Sequence, residues 1–173
     1  MGNLKEYLRK RQLNRYSYKG KTALRPIAGL RTATILLDVT RTPHLLEFRD
    51  SLHDWFFRQG VRASFYYLDF RKPNKNQLLY STPAETIFLK NLSWYTRMPD
   101  LKKCNAGILR PCDLFVSFVS TESYPLLFLS AAVPASFKIG AVSDADYPYD
   151  LIIPSSDPDE MLACLKDILS KMS

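Results

Sequence analysis

Two spacings of apolar residues divide this chain into elements. Thr34 to Val39 is a continuous apolar run that ends around Asp38, the pattern of a strand buried on both faces of a sheet. Leu45, Phe48, Leu52, Trp55 and Phe56 then recur every three or four positions and predict a helix over 43–59. Thr42 reads as its cap, Pro43 as its first residue and Gly60 as its stop. Val61 to Leu68 is a second strand, ended by Asp69. Strand, helix and strand in that order form a βαβ unit of a parallel sheet.

The middle of the chain is less regular. Arg71 to Asn76 reads as a polar turn, Leu78 to Tyr80 as a short edge strand, and Thr86 to Leu89 as a further strand. Asn91 to Pro99 reads as a loop, and 100–110 as a short helix or irregular chain. Order returns with a central strand over Asp113–Val119 and a helix from about Pro125 to Val133 that Ser120 to Ser123 can cap. Two more strands follow at 136–140 and 150–153. The last helix is the clearest: Asp157 and Glu160 make a D-x-x-E cap around Pro158, and Met161, Leu162, Leu165, Ile168, Leu169 and Met172 form one apolar stripe. The sum is α/β, a single doubly wound, mostly parallel sheet of Rossmann-like or flavodoxin-like type, preceded by a basic N-terminal helix.

Charge changes that picture at one end. The net charge is +7, with 24 Lys and Arg against 17 Asp and Glu. Residues 1–31 hold nine of those cations and one acid, Glu6, so this segment is +8 and the remaining chain is −1. The chain therefore divides into a basic arm, 1–31 (a helix over 3–16 plus a linker), and an α/β domain, 32–173. The apolar core pattern begins only near Thr34.

The arm interleaves Lys5, Arg9, Lys10, Arg11, Arg15, Lys19 and Lys21 with Tyr7, Tyr16 and Tyr18. Lys and Arg neutralise phosphates and Tyr can stack on bases, so nucleic acid is one expected partner. A protein partner is another. A peripheral contact with an anionic membrane, through Leu4, Tyr7 and Leu8, is a third. The plain alternative is a solvated helix that docks on its own domain, through the same three residues, or on a partner subunit.

In a doubly wound sheet, ligands bind beyond the carboxyl ends of the strands. The residues there are Asp38, Thr40 and Arg41, then Asp69, then Ser120, Thr121 and Glu122, and finally Ser143, Asp144 and Asp146. Carboxylates and hydroxyls in one cleft could bind a nucleotide-type ligand or perform acid–base chemistry. The same residue types also cap helices and close turns.

Several classes are excluded or left without support. The 6 glycines form neither G-x-G-x-x-G nor a P-loop, and the turn DVTRTPH after the first strand has none. Asp38-Val39-Thr40 resembles the D-x-D turn of haloacid dehalogenase-type phosphatases but lacks the second Asp. There is no G-x-S-x-G elbow. Cys104, Cys112 and Cys164 have no C-x-x-C spacing, and the two histidines are nine residues apart, so neither a disulfide framework nor a metal site is expected. No cofactor is expected, and the cysteine usage fits a reducing cytoplasm. The N-terminal residues lack the apolar stretch of a signal peptide, and no apolar run approaches a membrane span.

The stretches TILLDV (34–39), FLKNLSWYTRMPD (88–100), CDLFVSFVSTESYPLLFLSAAVPASFKIG (112–140) and YDLIIP (149–154) resemble a family of short bacterial α/β proteins defined only as a domain of unknown function. That resemblance spans roughly the whole chain and implies the fold and a basic, tyrosine-containing arm, but no activity or catalytic residue. A second likeness, carried by Ala135 to Gly140, is to the N-terminal lobe of heptosyltransferase-like glycosyltransferases. Their second lobe and glycine turn have no counterpart here. The leading expectation is a non-catalytic binding or adaptor protein that engages a partner or polyanion through the arm. The alternative is a small enzyme or ligand binder that uses the carboxyl-end cleft.

Overall fold

Strand β1, Thr32–Asp38, has its five central residues buried, as an apolar run without polar alternation requires. Around it the computed structural model describes residues 2–72, 84–102 and 106–172. In chain order these are α1 (Gly2–Tyr16), β1, α2 (Leu45–Arg58), β2 (Arg62–Asp69), β3 (Thr86–Phe88), β4 (Cys112–Ser117), α3 (Tyr124–Ala132), β5 (Ala135–Gly140), β6 (Leu151–Ile152) and α4 (Pro158–Lys171). The expected strand at Leu78 to Tyr80 lies outside the described residues. The stretch read as a helix or irregular chain near 100–110 holds a single 3-10 turn, Ala106–Leu109, among the described residues.

The six strands form one sheet in the order β3-β2-β1-β4-β5-β6. Every pairing is parallel. Side chains alternate across the sheet, so β1 feeds both faces. Ile35 and Leu37 enter one core with Phe48, Leu52 and Phe56 of α2 and Met161 and Leu165 of α4. Leu36 enters the other with Leu126, Phe128 and Leu129 of α3 and Ile108. This is the doubly wound α/β arrangement expected, with its order reversing between β1 and β4. The core starts earlier than Thr34: Leu30 is buried with the α2–α4 face.

Local signals set the boundaries. Gly60, at φ 75, stands just past α2, and the Val61 N–H reaches back to Phe56 O at 2.9 Å. A left-handed residue at that position favours glycine. At the other end, Thr42 does not cap α2. The N-cap is His44, in the left-handed region at φ 48, and no side chain bonds the first turn. Left-handed backbone at His44 cannot continue a right-handed helix, so α2 starts at Leu45, two residues later than read. Ser123 does cap α3, accepting from Leu126 N at 3.3 Å. Asp157 caps α4 from Asp159 N at 2.9 Å. Glu160 does not complete the box: its carboxylate accepts from Ser155 Oγ, which also takes the Asp157 N–H.

Helix α3 is buried along eight of its nine residues. A helix apolar all round needs cover on both sides. The sheet lies beneath it, and α1 packs on it from outside. Among the described residues no helix is long and apolar enough to cross a membrane.

Candidate functional site

The turns that leave β1 and β4 diverge at the carboxyl edge of the sheet. Leu36 pairs with Ser117, and the Phe118 N–H bonds Leu36 O at 3.0 Å, so Asp38 and Ser120 leave the same edge on neighbouring strands. Asp38 is engaged locally. Its Oδ1 accepts from Thr40 N at 2.9 Å and Thr40 Oγ1 at 2.7 Å, a closed Asx turn. Arg41 is exposed beyond it. Thr42 is buried, and its Oγ1 finds no hydrogen-bond partner.

Asp69, at the end of β2, is buried and takes a two-point contact from Arg71, at 2.7 Å from Nε and 2.6 Å from Nη2. The Arg71 guanidinium holds this carboxyl below the ordinary range. The geometry is that of a structural ion pair. Ser120 is half-buried; Thr121, Glu122 and Ser143 are exposed. After β5, Asp144 Oδ1 accepts from Asp146 N at 2.9 Å and closes a turn. The carboxyl-edge residues are thus divided among local turns and one ion pair. Glu122, Asp144 and Asp146 meet again in an open cleft of about 520 Å³. Its other wall is α1, through Glu6, Arg9, Lys10 and Leu13, and its floor includes Tyr124 and Tyr147.

Those two tyrosines are anchored. The Tyr147 hydroxyl donates to Ser123 O and accepts from Ser123 N, both at 3.0 Å. The Tyr124 hydroxyl reaches Gln12 Oε1 at 2.8 Å and Arg9 O at 3.1 Å. Burial pushes both phenols up to about 12.

The basic arm lies against the domain. Arg9 Nε donates to Thr96 O at 2.9 Å, and its guanidinium sits 4.5 Å from the centre of the Tyr124 ring. Gln12 Nε2 donates to Thr96 Oγ1 at 3.2 Å. Leu13 packs on the α3 core, and the Tyr16 ring meets Phe128 edge-on at 5.5 Å. The chain then runs on by backbone bonds, Tyr18 N to Ala131 O and Ala23 N to Ser136 O. It ends at Asp113, which accepts from Arg31 N and Thr32 N and lies 3.6 Å from Arg25. Of the three residues of the packing alternative, Leu4 and Tyr7 are exposed and Leu8 is half-buried. Of the candidate cations, Lys10, Arg11, Arg15, Lys19 and Lys21 are exposed, while Lys5 and Arg9 are half-buried.

Sequence reading missed Lys138. It is 5% exposed, and its Nζ donates to Ser130 O at 2.6 Å and Ala131 O at 3.2 Å. These are carbonyls in the last turn of α3, where a cation is favoured. Burial drops its ammonium to about 8, against an upward pull from Asp150. Asp150 also accepts from Lys138 N at 2.7 Å and from Thr22 Oγ1 at 3.1 Å, tying the linker to β5. A lysine inside the strand pattern FKIG was the available signal.

No cluster of three or more potential metal ligands occurs among the described residues. No curated protein and no solved structure matches the chain, so the likeness to glycosyltransferase lobes finds no support. Residues 4–172 match a family of unknown function (DUF6913), a span that takes in both the cationic helix and the sheet, and the chain belongs to that family.

Proposed function

We propose that the protein is a non-catalytic binding protein that engages a polyanionic partner through the outward face of α1 and the segment following it. One observation carries this reading. Arg9, Gln12, Leu13 and Tyr16 serve for attachment, while Lys10, Arg11, Arg15, Lys19 and Lys21 remain exposed with only Glu6 as an acid on the helix. Folding does not require five exposed cations along α1 and the segment that follows it. They make a fixed positive surface on an otherwise near-neutral body, and that surface attracts phosphate-bearing or other anionic partners.

The test uses the full chain. Affinity for a polyanion should fall steeply with salt. Replacing Lys10, Arg11, Arg15 and Lys19 by Gln should remove about four ionic contacts. That amounts to about a hundredfold in the salt-dependent part between 50 and 200 mM. Binding that ignores both salt and these substitutions would sink the reading. Deleting residues 1–31 is a poor substitute, because it would also remove Leu30 from the core and uncover α3.

A second reading, a small ligand in the cleft between α1 and the turns after β4 and β5, draws on its volume of about 520 Å³ and its position at the carboxyl edge. A thermal-shift screen of nucleotides separates the two. Stabilisation that Glu122→Gln and Asp144→Asn abolish, while the four Gln substitutions leave it intact, would favour the cleft.

A further inference from the structure

We propose, resting on the polyanion reading of α1, that the partner is an anionic lipid bilayer, met by one flank of α1 together with Trp94. Helical spacing divides α1 into stripes. Lys5, Arg9, Gln12 and Tyr16 lie at i, i+4, i+7 and i+11, and three of them hold the domain: Arg9 and Gln12 bond Thr96, and Tyr16 meets Phe128. Glu6, Lys10 and Leu13 lie on one side of that stripe and line the cleft. Leu4, Leu8, Arg11 and Arg15, again at i, i+4, i+7 and i+11, lie on the other side, away from the cleft. Two leucines are followed by two arginines along this flank of the helix.

Thr96 bonds the attachment stripe and its loop takes no part in the cleft, so that loop lies toward this flank, with Trp94 two residues before Thr96. Trp94 is 86% exposed, the most exposed large apolar side chain among the described residues. The loop is narrow and fixed: Leu92 bridges Pro99, Ser93 N bonds Met98 O at 2.8 Å, and Arg97 N returns to Ser93 O at 3.0 Å. Trp94 therefore stands on a braced turn, beside the exposed Arg97. Leu4, 54% exposed, completes the apolar part of the surface.

Two features select a bilayer over a nucleic acid. The exposed Leu4 offers no face for base stacking, but such a side chain suits the boundary between headgroups and acyl chains. Tryptophan favours the same depth, with its ring amphipathic, and the arginines stay level with anionic headgroups. The acid of α1, Glu6, lies on the cleft side, so it does not oppose this approach.

The probe is the intact protein with vesicles of phosphatidylcholine containing about a third phosphatidylserine, and with phosphatidylcholine alone. The protein should sediment with the anionic vesicles only, and its tryptophan emission should shift to shorter wavelength. Trp94→Ser should remove that shift and weaken partition about tenfold. Leu4→Ser should weaken it severalfold, and Arg11→Gln about fivefold. All three sites are exposed, and thermal melts should confirm that the variants fold. Salt-sensitive binding to RNA or DNA without vesicle binding would overturn the bilayer and leave the polyanion reading standing. Binding to neither would end both. Vesicle binding that is indifferent to Trp94→Ser and Leu4→Ser would reduce the contact to charge alone and overturn this surface.

Discussion

Helices α4 and α1 are almost equal in length, 14 and 15 residues, yet they are attached to the domain by different physics. Helix α4 buries Met161, Leu162, Leu165 and Leu169 against the sheet and keeps its polar residues outside. Burying each such side chain contributes about 1.5–3 kcal/mol, so this helix is part of what makes the domain stable. Helix α1 has no buried residue at all. It is held by two side-chain bonds to Thr96, a tyrosine hydroxyl, one leucine and one ring contact. Net hydrogen bonds contribute about 1 kcal/mol each, so α1 adds little to global stability beyond covering α3. Fold stability accounts for the sequence of α4. It does not account for the cations of α1, and that remainder is the physical reason to assign them a binding role.

The comparison breaks most visibly in the core. Leu165→Ala should destabilise the protein by about 2–5 kcal/mol, since Leu165 is fully buried between α4 and the sheet. Urea denaturation should show it as a lower midpoint with little change in slope. A loss under about 1 kcal/mol would mean that α4 is as loosely held as α1.

Lys138 offers a second contrast, at the joint where the linker crosses α3 and β5. Its ammonium titrates near 8 in the folded protein, against an ordinary 10.5, because burial disfavours the charge. Between those values the unfolded chain binds more protons than the native one. Stability from this group therefore rises as pH climbs from about 8 toward 10.5, by about 1 kcal/mol per unit. The buried phenols Tyr124 and Tyr147, pushed up to about 12, act in the opposite sense above pH 10. Denaturation of wild type and Lys138→Met should therefore be compared between pH 8 and 9.5. The difference between them should change in that window, with wild type gaining on the variant. Parallel curves would show that Lys138 stays protonated on its two carbonyls.

The elements that were legible in the sequence are those built by apolar periodicity. The continuous run at β1, the helical recurrence in α2 and the stripe of α4 each reduce to one local rule. Their order, strand-helix-strand, carried the parallel doubly wound sheet. The start of α2 was misplaced because a capping rule gave Thr42 a role that the backbone at His44 prevents. The α1 interface was not legible, because Arg9, Gln12 and Tyr16 are polar or amphipathic and meet partners about a hundred residues away in Thr96, Tyr124 and Phe128. Nothing local marks such a contact. The strand order put Asp38, Asp69 and Ser120 at one edge of the sheet, but it did not show the turn at Asp38 or the Asp69–Arg71 pair. Those depend on which neighbour a carboxylate finds after folding.

A smaller effect tests how α1 is held. Gln12→Ala removes the bond to Thr96 and the acceptor for Tyr124 and should lower stability by about 1 kcal/mol. Tyr124→Phe, which keeps the ring under Arg9 and loses only the hydroxyl, should cost about the same. The two groups bond each other, so the double variant should cost less than the sum. Full additivity would indicate that α1 is fastened mainly elsewhere, through Leu13 and Tyr16.

The smallest expected effect on stability is also the sharpest. Lys10, Arg11, Arg15 and Lys19 are all exposed, and the hydrogen bonds that fasten α1 run through Arg9 and Gln12. Replacing the four by Gln keeps side chains of good helix propensity. Surface changes of this kind usually alter stability by less than about 0.5 kcal/mol each, and relief of repulsion among like charges acts in the stabilising direction. Thermal midpoints should therefore agree closely with wild type, or rise slightly. Vesicle and polyanion binding should collapse in the same preparation. That dissociation is what separates a helix kept for its outward charge from one kept for its packing. If the four substitutions instead lower the midpoint as far as Gln12→Ala does, the cations are part of the fastening. The contrast between α1 and α4 would then be one of degree.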